Sequence, residues 1–417
     1  MKKQVISTFI LTACSFVLLT GCGTKQVEPA KQDSAANTFE PVVLEIENKE
    51  PKVSTVSVLM VGDNLIHSPL YKSGLQSDGT YNFDHLFKHV KDDVEKADLA
   101  IINQETIFVS DKNSYSSYPM FGTPDAMGHA IKNAGFDIVA HATNHTIDKK
   151  LTGITDTINF WETNYPDDIT YLGIHNSKED SDIEYISKNG IDFAFVNYTY
   201  GLNGLESWRS GNEHMIDMLT DNDIEKTLSQ AEESADLTVA ILHVGTEYVY
   251  EPTAYAKEQV VKFIDNGADI VLCAHPHVIE PYEVLETKNG NTGLVYYSLG
   301  NFISSQDEIP RIVGGMAEIK IQKKEYRNKV EFEIADYTMT PLITHQESSN
   351  YTTYKLDDYT NDLCRRHLLY RTRRSFDCDY LEQFFNDIAN KGNKGTLLRE
   401  IEKHPIKMEF KETNVEK

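Results

Sequence analysis

The sequence predicts an α/β fold whose sheets are covered by helices, on two observations. Short apolar runs rich in β-branched residues alternate with longer stretches of helical pattern. Six of those runs also end in clustered carboxylate, amide or imidazole side chains, which is where open α/β sheets place their ligands.

The first strand is expected over 55–61, an apolar run with three valines. Further strands are expected at Leu99–Asn103, 138–142, 193–197, Leu237–His243, Ile270–Ala274 and 294–298. Between them, 124–135 reads as a helix that opens near Pro124 and closes on Gly135. The stretches 221–234 and 253–266 read the same way. Lys288, Asn289, Gly290 and Asn291 are a hairpin turn signal between two β-rich runs. A second β-rich pair follows at 315–322 and 329–342, and the pattern turns helical over 357–390, with aromatic and basic residues.

Length and composition agree with a folded core. The chain has 417 residues, 40% hydrophobic and 25% charged. Its formal net charge of −24 sets up a field that repels nucleic acid and anionic membrane surfaces. An anionic substrate must therefore be held by a local feature such as a metal ion. The five cysteines do not form a disulfide framework. Cys273 ends an apolar strand and reads as a buried thiol. Cys364 and Cys378 are close enough in sequence to form one local pair.

The N-terminus reads as an address. Lys2 and Lys3 precede an apolar stretch over 5–19 that ends in Leu19-Thr20-Gly21-Cys22, which looks like a bacterial lipobox. The expectation is a signal peptide over 1–21, a lipid on Cys22 and anchorage to the extracytoplasmic face of the cell membrane. Residues 22–52 are polar, carry Pro29, Pro41 and Pro51, and read as a flexible tether.

The chemistry collects at the strand ends. The first strand ends in Gly62-Asp63-Asn64, and the second in Asn103-Gln104-Glu105. The third runs into Asn144-His145. The fourth ends at His243, with Glu247 just beyond, and the fifth in His275-Pro276-His277. The last leads into Gly300-Asn301. Pro276 disfavours the helical region for His275, so the segment is expected to stay extended, with His275 and His277 on one side. Glu105, directly after an apolar strand, is a half-buried carboxylate in need of a partner. Asp63 has an alternative role as a helix cap, and Asn144-His145 as a turn. Mixed carboxylate, amide and imidazole ligands suit manganese, iron or zinc rather than calcium.

In these residues the chain resembles the CapA-type family of poly-γ-glutamate capsule synthesis proteins, itself similar in fold to calcineurin-like metallophosphatases. The likeness covers roughly 54–305, in one consistent order from Gly62-Asp63 to Ser298-Leu-Gly-Asn-Phe302. It implies a four-layer sandwich, two mixed sheets flanked by helices, over 53–345, and leaves 346–417 as a helical C-terminal extension. It also implies one or two divalent transition-metal ions held by Asp63, Glu105, Asn144, His243, His275 and His277, with His145 as proton donor. Asn64, Asn103, Glu247 and Asn301 stand among the matched motifs and are expected to contact substrate. The chain departs from the phosphatase pattern at Leu65, where a histidine is usual and for which His67 is a substitute. It departs again at Glu105 for aspartate, at Thr146 for an acid and at Ala274 for glycine.

Three functions fit. One is a surface metal-dependent hydrolase or transferase acting on an anionic polymer or phosphoester in capsule assembly. Another is a non-catalytic subunit of a membrane polymer synthase. The last is a secreted metallophosphodiesterase unrelated to capsule. The basic groups Arg365-Arg366 and Arg371, Arg373 and Arg374 read as a patch for an acidic polymer, or as a face packed on the acidic domain.

Overall fold

The computed structural model of the chain describes residues 50–372 and 376–402. The lipobox, Cys22, nearly all of the tether, and Arg373 and Arg374 lie outside the described residues.

Two mixed sheets form the body. The first is built on β1 (Lys52–Asn64), β2 (Leu99–Asn103), β5 (Ile138–Ala140) and β6 (Thr170–Leu172), all parallel. On its other side β14 (Val313–Glu325), β15 (Lys329–Glu347) and β16 (Asn350–Lys355) continue it antiparallel. Short β13 (Asn301–Ile303) pairs with the end of β1, and β17 (Leu397–Glu402) with the start of β15. The second sheet has β8 (Ile191–Thr199), β9 (Leu237–His243), β10 (Ile270–Ala274) and β12 (Thr292–Tyr296) in parallel. Its edges are the antiparallel strands β7 (Glu184–Lys188) and β11 (Tyr282–Glu286). A small ladder joins β3 (Phe108–Val109) to β4 (Thr123–Pro124).

Strand alternation sorts the side chains into layers. In β1, Val56, Val58 and Met60 turn inward and meet Phe193 and Phe195 of β8, Val239 and Ile241 of β9, and Ile270 and Leu272 of β10. Leu59 and Val61 turn outward onto Met127 and Ile131 of the helix Ala126–Ala134 and onto Trp161 of the helix Lys150–Asn164. On the second sheet, Ala240 and Leu242 face Leu228, Val260 and Phe263 of the helices Ile224–Ser234 and Ala254–Asp265. The order helix, sheet, sheet, helix is the four-layer sandwich expected. Each of these large side chains contributes about 1.5–3 kcal/mol by leaving water.

The C-terminal segment supplies the expected helices, Asn361–Arg366, Leu368–Thr372 and Cys378–Ala389. It also adds β16 and β17 to the first sheet, so it is partly β. Cys273 is fully buried, and Cys364 and Cys378 are free thiols with sulfurs 3.8 Å apart. Near 124–135 the helix begins at Ala126, after Pro124 has paired in β4, and Gly135 closes it with φ of 101°.

Candidate metal centre

The parallel strands of both sheets run the same way into one seam, and each delivers its polar residues there. Asp63 closes β1, and Asn103 closes β2 directly beside it. Gly62 is required at this point, because a Cβ there would stand 2.0 Å from the Gly300 carbonyl oxygen, and the Asp63 amide donates to that same oxygen at 2.9 Å. Gly62→Ala is therefore expected to cost about 1–3 kcal/mol of stability by overpacking backbone on backbone, read by urea unfolding. An unchanged midpoint would show that the β1–β13 junction can yield.

The ligand side chains interlock. Asp63 accepts from Asn103 Nδ2 at 2.8 Å on one oxygen and lies 2.9 Å from His277 Nδ1 on the other. His277 Nε2 stands 3.6 Å and His243 Nε2 3.8 Å from Glu105 Oε1. Asn144 Oδ1 is 3.0 Å from His243 Nε2. The His275 ring lies 4.9 Å from the His243 ring and 5.9 Å from the His277 ring. Ligand atoms of Glu105, His275 and His277 all fall within 4.8 Å of one another. The six residues named from sequence thus share one buried spot.

The route to this convergence differs from the expected one. The 275–277 segment is not extended, since His275 has φ of 107° and His277 φ of 58°. Pro276 does keep His275 out of the helical region, but the loop turns left-handed at both histidines. Such conformations cost of order 1–3 kcal/mol each and persist where surrounding structure enforces them. Here the Tyr248 amide donates to the Pro276 carbonyl at 2.8 Å and the Val244 amide to the Ala274 carbonyl at 2.9 Å.

The donors present fit a divalent cation. Both Glu105 oxygens, His275 Nδ1 and Asn103 Oδ1 are buried with no hydrogen-bond partner. A buried carboxylate left so costs several kcal/mol unless a positive charge meets it. Burial drives the Glu105 pKa well above the ordinary carboxylate value, and the charges of Asp63 and Glu247 add to this while His277 opposes it. Burial lowers the His277 pKa, but Glu105 and Asp63 outweigh that and hold it up at about 9. Burial, then neighbouring imidazoles, keep His243 and His275 well below the usual histidine value, in the neutral form that ligates metals.

His145 Nδ1 is 2.7 Å from Asp148 Oδ2, which also accepts from the Phe121 amide at 2.7 Å. Phe121 packs edge-on to the imidazole at 4.7 Å. Asp148 was missed in the sequence, although its offset of three from His145 was a signal. It supplies the carboxylate that Thr146 lacks. Thr146 accepts from the Thr143 amide and donates to the His141 carbonyl, which makes it a turn residue. Asn203 and Tyr200, also missed, hold Asn144 at 3.2 Å and cover His275 at 4.6 Å.

Leu65 is buried, while His67 stands beside His277 and His145, and burial with those neighbours lowers its pKa to about 4. Asn64, Asn103 and Asn301 are buried and spend their amide donors on protein. Asn64 bonds Gln104 at 2.6 Å, and Asn301 bonds the Arg311 carbonyl at 2.9 Å. Glu247 is exposed at the rim, next to Tyr248, whose ring lies 3.7 Å under the Arg311 guanidinium.

Fold and site define a two-sheet α/β protein whose strand ends gather a buried set of ligands that could hold a divalent cation. The chain belongs to the bacterial capsule synthesis protein PGA_cap family, whose model matches residues 57–306. It is 28% identical over 234 residues to the capsule biosynthesis protein CapA of Bacillus anthracis, covering 54% of this chain and 55% of that protein. It is also 28% identical over 264 residues to the PGA biosynthesis protein CapA of Bacillus subtilis (strain 168), covering 61% and 66%. The match thus spans between about half and two thirds of these relatives. Among solved structures, it is similar to a putative 5′-nucleotidase from Staphylococcus aureus, at 13% identity and a TM-score of 0.41 over 80% of this chain and 58% of that one. Haemophilus influenzae NAD nucleotidase gives 12% and 0.41 over 81% and 67%. Family membership supports a role in capsule synthesis.

Proposed function

We propose that the protein is a surface lipoprotein that processes or transfers an anionic capsular polymer, poly-γ-glutamate, by metal-dependent chemistry at the 63–277 cluster. The observation that carries this is the buried Glu105 carboxylate, unpartnered at both oxygens and ringed by His243, His275 and His277. Asp63, Glu105, Asn144, His243, His275 and His277 would hold one or two ions of the manganese, iron or zinc type. When bound, such an ion supplies Lewis acidity toward a carbonyl or phosphoryl oxygen. The chain's own groups do the rest. Asp148 fixes the His145 ring through Nδ1, which leaves Nε2 to hold and release a proton at the leaving atom. Arg311 and Tyr248 give the rim a local cation on an otherwise acidic protein. Cys22, through its lipid, would keep this site at the membrane beside the synthase subunits that make the polymer.

Leu65, a buried apolar residue where the phosphatase pattern has a histidine, favours a second reading, a non-catalytic subunit that grips polymer carboxylates. Deletion and complementation in the source cell test the cellular role. Loss of the gene is expected to abolish surface polymer and the wild-type copy to restore it. A Cys22→Ser copy is expected to leave the membrane fraction and restore little. Polymer unaffected by the deletion would refute the proposal.

A further inference from the structure

A second group of metal-type ligands lies away from this centre. His175, Asp182 and Asp217 each offer an atom within 4.8 Å of the others. The fold positions them independently. His175 follows β6 and donates its amide to the Met215 carbonyl, and the Asp217 amide returns to the Gly173 carbonyl at 3.2 Å. Asp217 in turn accepts through its carbonyl from the Thr199 amide at the end of β8. Asp182 comes from the segment leading into β7. The group therefore joins the edge of the first sheet to the second.

His175 Nε2 is 3.0 Å from Asp217 and 3.9 Å from Asp182. His175 and Asp217 are nearly buried, at 8% and 5% exposure. His175 and Asp182 border a cavity of about 210 Å³ whose lining carries four carboxylates and neither lysine nor arginine, and Asp217 lies behind His175. Asp180 and Glu184, both exposed, extend the negative charge to its mouth. One imidazole cannot balance these acids. The buried Tyr198 hydroxyl lies near Asp217 and Asp182, and Thr227 interacts with both Tyr198 and Asp182.

We propose that His175, Asp182 and Asp217 form a separate structural site for one divalent cation of the zinc or manganese type, bound through one nitrogen and two carboxylates. Such a mixed set suits those ions better than calcium or magnesium. The ion would hold the β6 exit against the β8 exit, and no chemistry is assigned to it.

The test uses chelator-treated full-length protein titrated with zinc and, separately, manganese. Bound metal is counted by elemental analysis after desalting, and Tm is followed. Wild type is expected to hold at least one equivalent more than Asp182→Asn, a substitution at a partly exposed position that leaves the fold intact by circular dichroism. His175→Gln should behave likewise, with affinity at the site at least tenfold weaker. Glu105→Gln, which disables the first centre, should keep one equivalent and its metal-induced rise in Tm. If Asp182→Asn and His175→Gln bind as many equivalents as wild type, or if Glu105→Gln binds none, the inference is overturned. A single equivalent in wild type that survives Glu105→Gln would uphold this site and sink the first one.

Discussion

Glu105→Gln is expected to strip metal from the first centre while leaving the metal-free protein at least as stable as wild type. The two effects have opposite signs because one carboxylate causes both. In the metal-free protein neither buried oxygen has a hydrogen-bond donor, and the nearest imidazole, 3.6 Å away, does not offset the burial that drives the Glu105 pKa well above the carboxylate range, so the group is costly to keep there. The amide is neutral, nearly the same shape, and removes that penalty. With metal present, the carboxylate is the charge that faces His243, His275 and His277, and its loss should weaken binding about 100-fold or more, beyond the 10- to 100-fold typical of outer-shell changes. Elemental analysis paired with melts of chelator-treated protein reads both. A structural ion-pair role would make Glu105→Gln unstable with or without metal, and that result would end the metal assignment.

The second large effect belongs to His145. His145→Ala is expected to lower kcat about 10²- to 10⁴-fold on the polymer or a model phosphodiester, with metal content and fold unchanged. Asp148→Asn should produce a smaller loss in the same parameter, because the asparagine still meets the Phe121 amide but no longer fixes the imidazole through a charged acceptor. Full activity, or full restoration of surface polymer by His145→Ala, would favour the non-catalytic subunit.

Elements carried by long apolar runs were legible in the sequence. Leu99–Asn103, Leu237–His243 and Ile270–Ala274 match their strands end to end, because β-branched residues buried on both faces leave no competing pattern. Short or edge strands were not. Glu184–Lys188 is mostly exposed, and Asn301–Ile303 has three residues, so neither has an apolar run to read. The longest helix among the described residues, Lys150–Asn164, went unnoticed because threonines, isoleucines and Gly153 dilute its helical signature. The ligand set was legible because strand ends in parallel sheets converge. The left-handed turns at His275 and His277 were not, since tertiary hydrogen bonds rather than local preference impose them.

The ligands come from two different layers. Asp63, Glu105 and Asn144 lie at or beyond the ends of strands of the first sheet, and His243, His275 and His277 at or beyond the ends of strands of the second. An ion that grips both sides acts as a rivet between halves that otherwise meet through the apolar interior and a few hydrogen bonds, such as Ala142 to Asn197 and Tyr296 to Thr338. Occupancy and layer cohesion are then one equilibrium, and a ligand present at a hundred times its Kd adds about 2.7 kcal/mol to it. For the surface lipoprotein proposed above, lifetime would follow the environmental supply of the proposed ion. Capsule assembly would acquire a dependence on environmental metal without any dedicated sensor.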